Sequence, residues 1–313
     1  MFLTVALVLL SGGPLAIAVA SLSAIGHRWV DILAQFVGPA AVGAGLLVAT
    51  ALVLRLRAAT VATGLVGFIV MVAGSPQWFP TKGWPADGPG FTLYSANLFV
   101  QNADLPAIGT SIRQANADVV VLMEVGDAAR PGLDTVLAAY PHRIVTPRRA
   151  GGAGPSVFVI ASRWPLTERR IELMYMFAIA GEVQTPAGPV TVAGVHLTRP
   201  WPYQEQWGQI LQTQDLIDWL ATVDGPVVVA GDFNSVSSAR IGRMLRRETG
   251  LVAAPGWPGT WPSALPAWAG ITIDQVYRSP ELAVVERRLG RPNGSDHRPV
   301  VTRFVKAQTP PAA

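Results

Sequence analysis

The chain has 313 residues and no cysteine. Disulfides, thiolate metal sites and a cysteine nucleophile are therefore excluded together. The absence also fits an oxidising, extracytoplasmic setting, where a stray thiol is a liability. Charge is scarce as well. Only 14% of residues are Asp, Glu, Lys or Arg and mean hydropathy is +0.36, whereas ordinary globular chains carry about 25% charged residues. The shortfall implies that part of the chain sits in lipid. Neither sign of charge dominates: 24 Lys and Arg face 20 Asp and Glu, a net +4. Residues 1–75 hold Arg28, Arg55 and Arg57 against Asp31, so 21 basic and 19 acidic residues remain beyond them, a balance of +2. A domain that grips nucleic acid mainly through charge is strongly basic, and this remainder is only weakly so. Arg is far commoner than Lys. Its planar fork suits phosphate oxygens, although a compositional bias of the genome explains the preference equally well.

What the chain does have, at its start, is apolar length. Three stretches run from about Phe2 to Leu22, Leu33 to Leu54 and Ala59 to Ala73. A helix needs about 20 apolar residues to cross a bilayer. The first two meet that length, and Ser75 to Trp78 extends the third to the interface. Ala18-Val19-Ala20 resembles a signal-peptide cleavage site, but residues 1–10 contain no Lys or Arg, so the basic n-region is missing. The first stretch is read as an uncleaved helix, and residues 1–74 as three transmembrane helices. Nothing polar gives the first two a solvent face, as a buried globular pair would require. Arg55 and Arg57 lie between the second and third stretches, and the positive-inside rule puts that loop in the cytoplasm. Three crossings then leave the rest of the chain extracytoplasmic. Arg28, partly offset by Asp31, occupies the opposite loop. Trp78 and Trp84 flank the third stretch as interfacial aromatics do.

Residues 75–90 (SPQWFPTKGWPADGPG) read as a Pro/Gly-rich linker, and residues 307–313 as a flexible tail. Between them, 91–306 form an α/β domain. Short Val- and Ile-rich runs bounded by Gly, Pro, Asp or Asn predict strands: FTLYSANLFV, ADVVVLMEV, SVFVIAS, PVTVAGVHL, PVVVAGDFN, ITIDQVY and HRPVVTRF. Helical patterns at Pro106–Gln114, Tyr203–Ala221 and Ser238–Thr249 separate several of them. Strands this apolar are covered by helices or by a second sheet.

Polar residues at strand ends carry the chemistry, because loops there are mounted on a rigid scaffold. Val227 to Asn234 (VVVAGDFN) is a buried strand that runs into Gly231, then Asp232 and Asn234. Residues two apart on an extended backbone face the same way, so a carboxylate and an amide address one place; the alternative is a turn. Glu124 ends another strand, where a carboxylate is costly unless paired or on a metal, and Mg²⁺ prefers such oxygens. Read alone, Glu124 fits a surface residue as well as a metal ligand, and Asn97 leans to a structural role. His196 in VHL reads alone as a satisfied core imidazole. Asp296 and His297 in GSDHRP are different: a ligand beside an acid or base in a Gly/Pro-bounded turn. Asp274 either orients an imidazole or caps a turn.

Taken in order, Asn97, Glu124, His196, Asp232 with Asn234, Asp274, and Asp296 with His297 resemble the endonuclease/exonuclease/phosphatase family across about residues 91–306. GDFN and SDHRP carry most of the likeness, and VFVIASRWPL (157–166) adds Ser162, Arg163 and Pro165. The resemblance implies a four-layer α/β sandwich, two facing β-sheets flanked by helices, here preceded by the transmembrane helices. It implies Mg²⁺ (or Mn²⁺) held by Glu124 with Asn97 and Asp296 nearby. Asp232 would position or activate water, and Asn234 would hold it or a phosphate oxygen. His196 and His297 would stabilise charge or manage protons, with Asp274 paired to His297. The membrane-anchored bacterial branch matches best. Gln275 departs from the His that many relatives place after this Asp, and the disulfides of secreted pancreatic-type DNases are absent.

The expected partners are a phosphoester, nucleic acid or phospholipid, and the lipid bilayer; no obligate protein partner is evident. The leading reading is a membrane-anchored, nuclease-like phosphodiesterase facing outside the cell, which cleaves by metal-assisted attack of water. The alternatives are a phospholipid or sphingomyelin phosphodiesterase and an inactive membrane-tethered binding module. Trp257, Trp261 and Trp268 in GWPGTWPSALPAWAG are either an aromatic rim that stacks bases or dips into lipid, or a Pro-stiffened loop packing Trp onto the core.

Overall fold

The structure, a computed structural model, describes residues 1–23, 25–79, 83–151, 154–174, 176–200 and 206–308. Apolar composition shapes the first quarter of the chain. α1 (Phe2–Leu10) and α2 (Gly12–Leu22) make one helix of 21 residues through Ser11. At 1.5 Å per residue it is about 30 Å long, which matches the hydrocarbon core of a bilayer. α3 (Arg28–Ala34) and α4 (Val37–Val53) meet at a 56° bend, and together they are apolar enough for a second span. α5 (Arg57–Ala73), at 17 residues, is shorter than a full crossing. Small residues let these helices approach closely: Ala18, Ala40, Ala44, Val66, Val70 and Ala73 pack as one buried cluster. The outward side chains stay apolar, and Leu9, Leu46, Val61, Leu65 and Phe68 are each more than 60% exposed. Exposed apolar surface of that extent marks an interaction face, for a membrane or for protein.

α6 (Ser75–Trp78) leads to β1 (Pro85–Asn97), so part of the stretch expected as a linker is strand. β1 pairs with β13 (Val300–Ala307), with Pro85 opposite Ala307 and Gly90 opposite Val305. Glycine permits this: a Cβ on Gly90 would lie 2.1 Å from the Phe304 carbonyl oxygen. Ala307 is thereby a strand residue and not tail, and residues 309–313 lie outside the described residues.

The rest is two mixed sheets. The first has seven strands in the order β12 (Leu282–Leu289), β13, β1, β2 (Val119–Gly126), β5 (Gly154–Ser162), β3 (His142–Val145), with β4 (Arg149–Gly151) also on β5. The second has six: β10 (Val252–Ala253), β11 (Asp274–Arg278), β9 (Val227–Asp232), β8 (Gly188–His196), β7 (Phe177–Thr185), β6 (Leu166–Glu168). Alternation along β2 shows the layering. Val119, Val121 and Met123 point between the sheets, where they meet Val192, Val228, Ala230 and Val276. Val120 and Leu122 point outward under α7 (Leu105–Ala115) and α8 (Leu133–Val136), through Ile108, Ile112 and Leu133. On the far face, α9 (Gln206–Leu220) and α10 (Arg240–Thr249) cover Val195, Val229 and Tyr277 with Leu216, Ile217, Ile241 and Leu245. Strands buried on both faces explain why the sequence shows continuous apolar runs. The result is the expected four-layer α/β sandwich. Of the helix expected over Tyr203–Ala221, residues 203–205 lie outside the described residues.

Candidate active site

Two parallel strand pairs gather the polar residues. β1 runs parallel to β2 in one sheet and β8 parallel to β9 in the other, so their carboxyl ends lie together. In the second sheet His196 stands opposite Asp232, and Asp232 opposite Asp274. In the first, Asn97 ends β1 beside Met123, one residue before Glu124.

Glu124 owes its direction to a backbone irregularity. The pairing of β2 with β5 shifts register between Leu122 and Val125, and Glu124 sits in the left-handed region at φ +51°. A bulge re-aims a side chain. A non-glycine residue held there costs about 1–3 kcal/mol, and such strain clusters at working sites. The Glu124 carboxylate accepts from Asn97 Nδ2 at 3.0 Å and from the Val100 amide at 3.3 Å. Its Oε1 lies 3.4 Å from His196 Nδ1.

Asp232 is the hub, with 2% of its surface exposed. Its Oδ2 accepts from Asn97 Nδ2 at 3.1 Å and lies 3.5 Å from His196 Nε2 and 3.7 Å from His297 Nε2. Its Oδ1 accepts from the Asn234 amide at 2.8 Å. Asn234, left-handed at φ +46°, donates from Nδ2 to the Leu197 carbonyl at 2.8 Å, and that nitrogen is 3.4 Å from His196 Nε2. Burial raises the Asp232 carboxyl above the ordinary range, against the pull of both imidazoles.

His297 is bonded through Nδ1 to both oxygens of Asp274, at 2.9 and 3.2 Å. Burial alone would lower its pKa. The Asp274 and Asp232 charges, the Asp274 hydrogen bond and Asp296 reverse that and hold it at about 10. The ring is therefore an imidazolium at neutral pH.

Asn97, Glu124, His196, Asp232, Asn234, Asp274 and His297 thus form one connected cluster. Asp296 lies at its edge. Its side chain is 48% exposed, its Oδ1 is 4.0 Å from His297 Nε2, and its Oδ2 accepts from Trp261 Nε1 at 3.2 Å. Ser162 and Arg163 are not there. Arg163 binds Asn116 and Asp118, just before β2 begins, at the end of the strand opposite Glu124. Among the described residues, Asp232, Asp274 and His297 are the acidic and imidazole groups that bring three ligand atoms within 4.8 Å of one another. His297, protonated and bonded to Asp274, is a poor ligand. With Asp296 at its edge, the site nonetheless gathers four carboxylates against two imidazoles, and a hard divalent cation would balance that excess with carboxylate oxygens.

Sequence patterns missed the supports. Ser295 Oγ donates to the Asn97 carbonyl at 2.8 Å and accepts from the His297 amide at 3.0 Å, tying the last loop to β1. Its place beside Asp296 and His297 was the available signal. Trp261 was seen only as an aromatic; its bond to Asp296 and the packing of Trp257 close to Gly38 give both Trp residues structural contacts, while Trp268 is 54% exposed.

Residues 94–297 match the sequence profile of the Endonuclease/Exonuclease/phosphatase family. The chain belongs to this family. With it, the chain joins the hydrolases of phosphoester bonds, which use divalent metals. Solved structures agree in fold. An endonuclease/exonuclease/phosphatase from Beutenbergia cavernae is 22% identical, with a TM-score of 0.56 over 72% of this chain and 74% of its own. The human Nocturnin catalytic domain, with bound sulfate, is 18% identical, with a TM-score of 0.56 over 70% of this chain and 94% of its own. Caenorhabditis elegans TDP2 is 17% identical, with a TM-score of 0.52 over 69% and 97%. No curated protein sequence matches the chain significantly. The N-terminal helices lie outside the matched residues.

Proposed function

We propose that the protein is a membrane-anchored phosphodiesterase in which water attacks a phosphodiester with the help of a divalent cation, Mg²⁺ or Mn²⁺. The observation that carries this reading is Asp232: a buried carboxylate of raised proton affinity between two imidazoles, at the edge of an excess of negative charge. Glu124 would hold the cation, with Asp296 nearby. Asn97 joins them if its amide turns, because it now offers Nδ2 and its Oδ1 accepts from the Phe99 amide at 2.9 Å. When bound, the cation neutralises phosphate charge and makes water more acidic. The chain's own groups do the rest. Asp232 takes the proton of the attacking water, its raised pKa making it the stronger base. His297, kept charged by Asp274, donates from Nε2 to the phosphoryl oxygens as charge develops. His196, with 23% of its side chain exposed, returns a proton to the departing oxygen. Asn234 orients His196.

A phospholipid diester is the second reading. What favours it is the contact between the loop after Asn234 and the apolar helices: Val236 donates its amide to Gln35 at 2.7 Å, beside the start of α4. We also read the helices as multi-pass, with the catalytic domain extracytoplasmic. Ser21, Gln35 and Gln77 all meet the domain, whereas Arg55 lies at the other end of α4.

The test uses the full chain in detergent micelles, given bis(p-nitrophenyl) phosphate, plasmid DNA and phospholipid vesicles, with Mg²⁺, Mn²⁺ or EDTA. Turnover of at least one diester, lost in EDTA and reduced by about 10²-fold or more in Glu124→Ala and His297→Ala, is expected. Equal rates in the parent and both variants would refute the reading.

A further inference from the structure

The loop that carries Asn234 is held from outside the catalytic fold. Gln35, at the bend between α3 and α4, is 5% exposed. Its Oε1 accepts from the Val236 amide at 2.7 Å. Its Nε2 donates to the Asp31 carbonyl at 3.0 Å and to Ser235 Oγ at 3.4 Å. Both ends of the amide are thus used. Ala34 packs on Val236 and Ala239 beside it. Two further contacts dock the helices on the residues that follow: Gln77 Nε2 donates to Ser238 Oγ at 2.9 Å, and Asp31 pairs at 3.1 Å with Arg240, the first residue of α10 and away from Asn234.

We propose that Gln35 is a positioning residue for the catalytic centre, so that the N-terminal helices are a working part of the active site as well as an anchor. The chain of contacts is short. Gln35 fixes Ser235 and Val236; these fix Asn234, the residue before them; and Asn234 binds Asp232 through its amide and faces His196 through its side chain. Asn234 is left-handed, and a backbone of that kind persists where its surroundings over-determine it. β9 anchors it upstream and Gln35 downstream. Val236 is fully buried, so its amide has no water to turn to if Gln35 is lost, and the loop must shift to satisfy it. A glutamine inside an apolar stretch (ILAQFVG) is itself costly unless both ends of its amide are satisfied, and here they are satisfied at the loop.

The kinetic consequence rests on the phosphodiesterase reading, so the test carries a readout that does not. The full chain is assayed in detergent with saturating Mg²⁺ and bis(p-nitrophenyl) phosphate, and metal-free samples labelled with ¹³C-histidine are compared by NMR. Gln35→Leu is expected to lower kcat by about 10²-fold, the effect of displacing a reacting group by about 1 Å, with KM little changed. It also moves the His196 resonance. Gln35→Glu, which still accepts from the Val236 amide but no longer donates to the Asp31 carbonyl, recovers part of the rate. Asp31→Asn breaks the docking ion pair but not these bonds, and keeps the parent kcat and His196 resonance. Gln35→Asn, one methylene short of Val236, repeats the loss should Gln35→Leu not fold. Parent kcat and an unmoved His196 resonance in folded Gln35→Leu or Gln35→Asn would overturn the proposal, as would equal losses in Asp31→Asn. A parent without turnover defeats the phosphodiesterase reading alone, and the His196 resonance still decides the positioning.

Discussion

Replacing Asp274 by Asn tests the electrostatics of the site most directly, because it keeps the shape and removes one charge. His297 titrates at about 10 against an ordinary 6.5. That gap corresponds to about 5 kcal/mol of preference for the charged ring. Asp274 enters twice, as the leading charge that raises the value and as the hydrogen bond. A pair of opposite charges about 4 Å apart at an effective dielectric near 20 is worth about 4 kcal/mol. Asp274→Asn should therefore lower the His297 midpoint by about two pH units or more. The chain has four histidines, so ¹³C-histidine NMR of the metal-free protein, assigned with single His variants, reads the midpoint directly. Activity should fall by about 10²–10⁴-fold, the span of a lost general acid or base. The pH dependence of stability has a definite sign. Folding raises this pKa, so the stabilisation is complete below about 6.5 and fades as pH rises through about 10. The parent loses Tm across that window, and the Asn variant loses less and at lower pH. A parent midpoint near 6.5, or one that Asp274→Asn leaves in place, refutes this account of the site.

Two further outcomes follow from particular residues. Glu124→Gly relieves the left-handed backbone that Glu124→Ala retains, so in EDTA the Gly variant should melt above the Ala variant, by about 2–4 °C for about 1 kcal/mol, and neither should gain Tm from Mg²⁺; calorimetry showing Ala the more stable would remove the strain argument. For topology, the absence of native cysteine makes single labels clean: in intact cells a membrane-impermeant maleimide should modify Asp224→Cys in the catalytic domain and spare Ala58→Cys at the start of α5, and the reverse pattern would invert the proposed orientation.

The strands were legible because their composition is set locally. Each Val-rich run is buried on both faces, so its apolar character is uninterrupted, and the polar residue that ends it stands out. That is why VVVAGDFN and VVVLMEV pointed to Asp232, Asn234 and Glu124. β12 (LAVVERRL) and β7 (FAIAGEVQT) were not singled out, because charged or polar residues break their apolar pattern. β1 was expected from Phe91 because Pro85 to Gly90 carries turn-forming residues, yet pairing with β13 extends it back to Pro85. ITIDQVY was expected as a strand from Ile271, whereas β11 begins at Asp274, where its pairing with Asp232 of β9 starts.

The features that stayed hidden share a physical origin. Each satisfies a polar group across a long sequence separation. Gln35 meets Val236, Trp261 meets Asp296, and Ser295 meets Asn97. No periodicity encodes such a pair, and each partner read alone names no distant contact: an amide at a bend in an apolar stretch, an indole in a loop, a hydroxyl in a turn. Glu124 breaks a local rule, as a bulky residue in a left-handed backbone. Sequences otherwise keep local preference and global fold consistent, and they depart from that consistency where function demands it. On that ground the logic that supports Glu124 as the proposed cation holder also supports the proposed role of Gln35, although Gln35 lies among the N-terminal helices outside the matched residues. On the proposal that Gln35 positions the Asn234 loop, the catalytic domain cut free of the N-terminal helices loses the acceptor of the Val236 amide and with it part of the loop's geometry.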